Sequence, residues 1–313
     1  MKRLSEGRTI AVFVFAAIFA LCLPNSAWAH GFAGQRFFPT TFQVEDPFIS
    51  DELSLVVNHI KDPEAKSTEV GVDYSKRITP HFGLSVGESY LLRDVEGEGS
   101  SNGFGNLELG LKYQFLTSEV HETIMSVGIG AELGGTGASR VGAESFSVIS
   151  PALYFGKGLG DLPQSLSYLR PFAITGVVGP NFPTKKSSVT VNEDTGEVEE
   201  EENLTTLTWA FTVQYSLAYL QSFVKDIGLG DPLKRMVLIA EFPMETCMSG
   251  DCKGQTTGTF NPGVVWIGKY MQLGLAAEIP INSRTGNNVG VLALVHLFLD
   301  DLFPKSLGRP IFP

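Results

Sequence analysis

From position 207 to 219 every second residue is apolar: Leu207, Trp209, Phe211, Val213, Tyr215, Leu217 and Tyr219. Between them stand Thr208, Ala210, Thr212, Gln214, Ser216 and Ala218. Side chains alternate across a β-strand, so a strand here has one apolar face and one small, polar face. At about 3.3 Å per residue the run is roughly 40 Å long. Globular strands usually hold about 5–6 residues, and a tilted strand crosses a bilayer with about 9–11. The pattern predicts a strand that meets lipid on one side and a polar lumen on the other.

Weaker versions of the pattern recur along the chain. They give about twelve candidate strands, near 52–61, 66–77, 81–94, 104–117, 121–134, 145–157, 168–180, 207–219, 234–246, 257–269, 270–281 and 287–299. The fourth sets Leu107, Leu109, Leu111, Tyr113 and Phe115 against Glu108, Gly110, Lys112 and Gln114. The fifth sets Met125, Val127, Ile129, Ala131 and Leu133 against Ser126, Gly128, Gly130 and Glu132. Connections at 95–103, 134–144, 181–203 and 247–256 are long and polar, while those at 78–80, 117–121 and 269–270 are short. Such alternation suits a barrel whose N-terminus lies in the periplasm. Two features strain that count. The connections at 158–167 and 220–233 are long for periplasmic turns, and Pro151, Pro171, Pro243 and Pro262 fall in or near strands, where proline removes a ladder hydrogen bond.

The expected fold is all-β: a transmembrane antiparallel up-and-down barrel of about 12 strands over residues 51–300. An even number of antiparallel strands closes without edges, as a hydrocarbon environment requires. A soluble β-sandwich is the competing fold. It does not require strands this long, nor Trp209, Trp266, Tyr270 and Phe155 near segment ends.

The start of the chain reads as a secretory leader. Lys2, Arg3 and Arg8 precede an uncharged apolar run from Thr9 to Leu23, and Ala27-Trp28-Ala29 supplies a cleavage site. Residues 1–29 are the expected signal peptide, with cleavage near Ala29 and the outer membrane of a Gram-negative cell as the destination. After it no apolar run is long enough for a transmembrane helix. The chain is acidic, with net charge −11, and the leader carries some of its few positive charges. That disfavours nucleic acid as a partner. Cys247 and Cys252 lie in Cys-Met-Ser-Gly-Asp-Cys and are expected to form a disulfide in an oxidising compartment.

Two stretches carry a family resemblance. One is Gly103-Phe-Gly-Asn-Leu-Glu-Leu-Gly-Leu-Lys-Tyr-Gln-Phe-Leu116; the other is Asn261-Pro-Gly-Val-Val-Trp with Leu273-Gly-Leu-Ala-Ala-Glu-Ile-Pro-Ile281. They resemble outer-membrane β-barrel transporters grouped with the phenol-degradation meta-pathway family, loosely over residues 52–300. The resemblance implies a barrel that admits small hydrophobic or aromatic compounds. Its motifs encode strands and turns, so they specify architecture better than solute. Many such barrels end on an aromatic residue read by the outer-membrane assembly machinery. Here Phe298 is followed by Asp300, Asp301 and a tail, residues 301–313.

If the apolar faces meet lipid, the opposite faces supply the pore lining: Glu69, Asp73, Glu108, Lys112, Glu132, Thr212, Gln214, Glu241 and Glu278. Acidic groups dominate, which favours cations and neutral solutes over anions. The same residues also suit a closed, packed lumen, since about twelve strands enclose little space beyond side chains. Residues 30–50 form an aromatic-rich periplasmic lead-in. It packs under the barrel, enters the lumen as a plug, or stays a free arm; the sequence leaves all three open. The acidic run Glu193–Glu202 lacks the EF-hand spacing and reads as a solvated loop. His30 lacks the second histidine that a strong copper site needs. No nucleophile elbow is present, and no catalytic residue, metal or cofactor is expected. The function expected is passive diffusion of small hydrophobic or weakly polar compounds across the outer membrane. The alternatives are a structural or adhesive barrel with a closed lumen and, less favoured, a lipid-modifying barrel enzyme. The partners are the lipid bilayer, the solute and the assembly machinery.

Overall fold

The computed structural model describes residues 31–61, 65–95, 99–191 and 198–312. The expected leader and cleavage site, with His30, lie outside the described residues. Twelve wall strands follow one another in chain order. They are β1 (Glu52–Lys61), β2 (Ala65–Thr79), β3 (Phe82–Val95), β4 (Gly99–Phe104 continued by Leu107–Ser118), β5 (Thr123–Leu133) and β6 (Val148–Gly158). The second half holds β7 (Phe172–Pro183), β8 (Thr206–Ser216), β9 (Met236–Phe242 continued by Met244–Cys247), β10 (Thr256–Ile267), β11 (Met271–Pro280) and β12 (Gly290–Phe298).

Each strand pairs antiparallel with its sequence neighbours. The ring closes where β12 meets β1, with His296 opposite Ser54 and Phe298 opposite Glu52. The result is a closed, all-β, twelve-stranded antiparallel barrel with no free edge. Among the described residues no helix is long and apolar enough to cross a membrane. The outer face exposes Leu111, Ile129, Trp209, Leu238, Leu275 and Val291. The inner side of β8 is buried through Ala210, Thr212, Gln214 and Ser216, as its alternation predicts.

Three expectations from the sequence need correction. First, the strand at 207–219 ends at Ser216. The Ser216 hydroxyl accepts the Tyr219 N–H at 3.1 Å, and the chain turns helical over Leu217–Tyr219. Tyr219 is therefore buried at the barrel mouth where β1 begins, instead of on the outer face. Second, the described part of the acidic run is strand. Ser187–Val191 pairs with Val198–Glu202 as an outer hairpin, Ser187 opposite Glu202, and residues 192–197 lie outside the described residues. Third, an apolar residue on this wall need not face lipid. Val237 and Ile239 point inward on β9, Leu238 outward, and Val265, Leu292 and Leu294 also point in.

The prolines settle into tolerant places. Pro171 precedes β7, Pro243 separates the two parts of β9, and Pro151 and Pro262 sit within the ladders opposite Ile129 and Ala240. Cys247 and Cys252 are disulfide-bonded with their Cα atoms 5.8 Å apart, closing the outer turn after β9.

Candidate functional site: a plugged lumen with an outer cavity

Residues 31–50 enter the barrel. The path runs in from the mouth where β1 begins, turns among the inner faces of β9–β11, and returns along β4 and β5 to become β1. Its apolar residues explain why. Phe42 packs against Val237, Ile239, Val265, Leu292 and Leu294, and Phe38 and Phe48 form a second cluster with Ile124 and Ala173. Burying a phenylalanine is worth about 1.5–3 kcal/mol, and no face of the closed wall other than the inner one can shelter these rings from both water and lipid.

Polar contacts fix the segment at three levels. At the mouth, the Arg36 guanidinium lies 3.2 Å from the Glu122 carboxylate and donates to the Pro171 carbonyl at 2.9 Å. It also sits 3.8 Å over the Tyr219 ring, whose hydroxyl donates to Glu122 at 2.9 Å. Burial pulls the Arg36 pKa down, and the Glu122 charge pulls it back up. At the tip, one Glu241 oxygen accepts the backbone N–H groups of Phe42, Gln43 and Val44 at 2.8, 3.3 and 3.5 Å. Gln43 donates to Glu278 at 2.8 Å and accepts from Asn261 at 2.7 Å. On the return limb, Lys112 donates to the Asp46 carbonyl at 2.7 Å and pairs with Glu45 at 2.6 Å. Burial holds the Asp46 carboxyl above its ordinary range, against the opposing pull of Lys112.

Above this floor lies a cavity of about 880 Å³. Its floor is Thr40 to Ser50, and its walls include Asp73, Glu108, Lys112, Glu132 and Tyr154. The acidic side is one rung of the barrel. Glu132 is opposite Glu108, Glu108 opposite Gly87, and Gly87 opposite Asp73. Gly87 leaves the room that the carboxylates use: a Cβ there would come within 3.3 Å of Asp73 Oδ2 and 3.5 Å of Glu108 Oε2.

Several solved barrels are similar to this chain. The chain is similar to the NanC porin at 7% identity, over 79% of this chain and 98% of that one, with a TM-score of 0.48. It is similar to an outer membrane channel from Pseudomonas putida F1 at 12% identity, over 83% and 99%, with a TM-score of 0.48. The KdgM porin matches at 16% identity, over 78% and 98%, with a TM-score of 0.43. No family model and no curated protein matches the chain. The twelve-stranded wall stands on its own register, whatever the likeness to these barrels.

The nine residues expected to line a pore divide into three groups. Asp73, Glu108, Lys112 and Glu132 border the cavity. Thr212, Gln214, Glu241 and Glu278 are buried in the packed part of the lumen, where Glu241 and Glu278 hold the lead-in and Gln214 donates to Thr175 at 3.2 Å. Glu69 is half-buried on β2, beside Asn58 in register and away from the cavity wall. Lys112 faces the cavity yet spends its hydrogen bonds on the lead-in.

The histidines are dispersed. His59 meets Thr68 at 2.8 Å, His121 meets Asp161 at 3.2 Å, and His296 meets Ser54 at 2.8 Å inside the lumen. Among the described residues no three His, Cys, Asp or Glu side chains cluster as metal ligands. Sequence reasoning missed Arg36, Glu122, Gln43 and Asn261. Arg36 left one trace: it is the one Lys or Arg in residues 30–50. The connection after β8 starts at the same place, since its first helical turn carries Tyr219 to the Arg36 cluster.

Proposed function

We propose that this chain is an outer-membrane channel for small, weakly polar solutes that cross by passive diffusion, with residues 31–50 as the segment that must yield before they pass. One observation carries this reading: the cavity of about 880 Å³ ends on Thr40 to Ser50. That floor is held by non-covalent contacts to the wall, and the covalent link at β1 lets it move without leaving the barrel. Long apolar strands on a closed ring suit a bilayer, because closure pairs the strands with one another and leaves no open sheet edge. The three carboxylates of the cavity rung favour neutral and cationic solutes over anions. Tyr154 and Phe146 on the cavity lining and the resemblance to the phenol-degradation barrels support aromatic solutes among those carried.

Planar-bilayer recording and liposome swelling test the proposal. Wild-type protein is expected to conduct weakly or in short openings, and deletion of residues 31–50 to increase conductance several-fold. Because the deletion removes core contacts, Arg36→Ala is recorded alongside it in the intact chain. Absence of ion and solute flux in all three proteins would sink the channel reading and leave a closed structural barrel.

A further inference from the structure

Where the lead-in leaves the lumen to become β1, a second void of about 10 Å³ lies between lead-in and wall. It has room for one small ion or one water. The residues around it include Thr40, Asp46 and Ser50 of the lead-in, Glu52 of β1 and Gln272 of β11. Gln272 is fully buried, and neither its Oε1 nor its Nε2 has a hydrogen-bond partner. Thr40 Oγ1 lies 3.3 Å from Asp46 Oδ2, and Ser50 Oγ donates to Glu52. Phe48 N–H takes the other Asp46 oxygen at 2.9 Å.

The charge here is unevenly met. Lys112 acts on both carboxylates, yet its ammonium rests on Glu45 and on the Asp46 carbonyl. His296 Nε2 lies 3.5 Å from Glu52 and 3.5 Å from Thr40. Buried carboxylates are costly unless paired or bound to a cation. A buried amide with both ends unbonded calls for a partner as well.

We propose that this void is a binding site for a hard cation, with calcium the best fit, bridging the lead-in to the barrel wall. The donors are two carboxylates, two hydroxyls and the Gln272 carbonyl oxygen, an all-oxygen set of the kind that hard cations take. Two carboxylates balance a divalent charge. Calcium accepts irregular sets of about 6–8 oxygens, whereas magnesium demands a near-octahedral shell and keeps several waters, for which this void leaves no room. Three of the donors come from the lead-in and two from the wall, so the ion would join the two. Binding at this site does not depend on the channel reading; only its effect on opening does.

The test uses full-length protein in detergent, stripped of metal with a chelator and titrated with calcium chloride by calorimetry. One calcium per chain is expected, with affinity about tenfold or more weaker in Asp46→Asn. Saturable binding should vanish in the Asp46→Asn/Glu52→Gln pair and persist in Glu245→Gln, which removes a carboxylate of the outer cavity. Magnesium should bind more weakly. Gln272→Leu, which places an apolar stem in the void, should also lose calcium while keeping the heat-modifiable migration of a folded barrel. Absence of saturable binding by wild type, or equal binding by the double variant, overturns the proposal and assigns the void to a water.

Discussion

The Arg36 guanidinium lies 3.2 Å from the Glu122 carboxylate, with both side chains sealed from solvent at the barrel mouth where β1 begins. Removing one partner of such a pair leaves an uncompensated charge, at a cost of about 3–5 kcal/mol. Arg36→Ala and Glu122→Ala are each expected to loosen the lead-in and raise open probability in single-channel records. The double variant should be less perturbed than the sum of the two. Strict additivity in this cycle would show that the pair does not act as a unit.

Glu241 holds the tip through three backbone N–H groups. Hydrogen bonds to a charged group contribute about 1.5–3 kcal/mol each, against about 0.5–1.5 for neutral ones. Glu241→Gln keeps an acceptor and is expected to shorten closed times moderately; Glu241→Leu removes it and should shorten them further. Equal closed times in wild type and both variants would rule out the tip as a holding point.

Phe42 belongs to the apolar cluster between the lead-in and β9–β12. Phe42→Ala is expected to weaken docking by about 3–5 kcal/mol, with the strand ladders unaffected. Hydrogen exchange read by mass spectrometry should quicken over residues 38–48 and stay slow in the wall. Faster exchange throughout the wall strands would contradict the separation of plug from wall.

The carboxylates of Glu108 and Glu132 face each other across β4 and β5 on the cavity wall. Glu108→Gln with Glu132→Gln is expected to reduce cation preference, read as a smaller reversal potential under a salt gradient. An unchanged reversal potential means that ions do not pass this rung.

Burial raises the Asp46 carboxyl above its ordinary value of 3.8 when the lead-in is docked. A group that binds its proton more tightly in the docked form favours that form as pH falls. The contribution is complete below the ordinary value and is lost as pH rises through the raised one. In calcium-free buffer, conductance should therefore increase as pH rises above the ordinary carboxyl range, and Asp46→Asn should flatten that rise. A rise of the same size in Asp46→Asn would assign the pH response to another group.

The wall was legible residue by residue. Leu109, Leu111 and Ile129 face out and Glu108, Lys112 and Glu132 face in, because a strand's period of two is a local property that any stretch carries by itself. The pairing of Cys247 with Cys252 was equally local. The same rule failed on β9, where Val237, Leu238 and Ile239 are consecutive apolar residues. Alternation cannot reveal that an inner face is apolar because something covers it. Tyr219 fitted the alternation and still left the strand, since one hydroxyl, that of Ser216, was enough to start a turn.

The sequence by itself determined long, alternating strands, about twelve in number, and the excess of acidic over basic residues on their polar faces. Only the tertiary structure decided that residues 31–50 enter the lumen and pack against its inner wall. Glu241 meets the Phe42 N–H across 199 positions of chain, and Arg36 meets Glu122 across 86. Those contacts depend on which inner-facing residues closure of the ring brings to the same depth. Closure is a property of all twelve strands at once, so no single segment carries it.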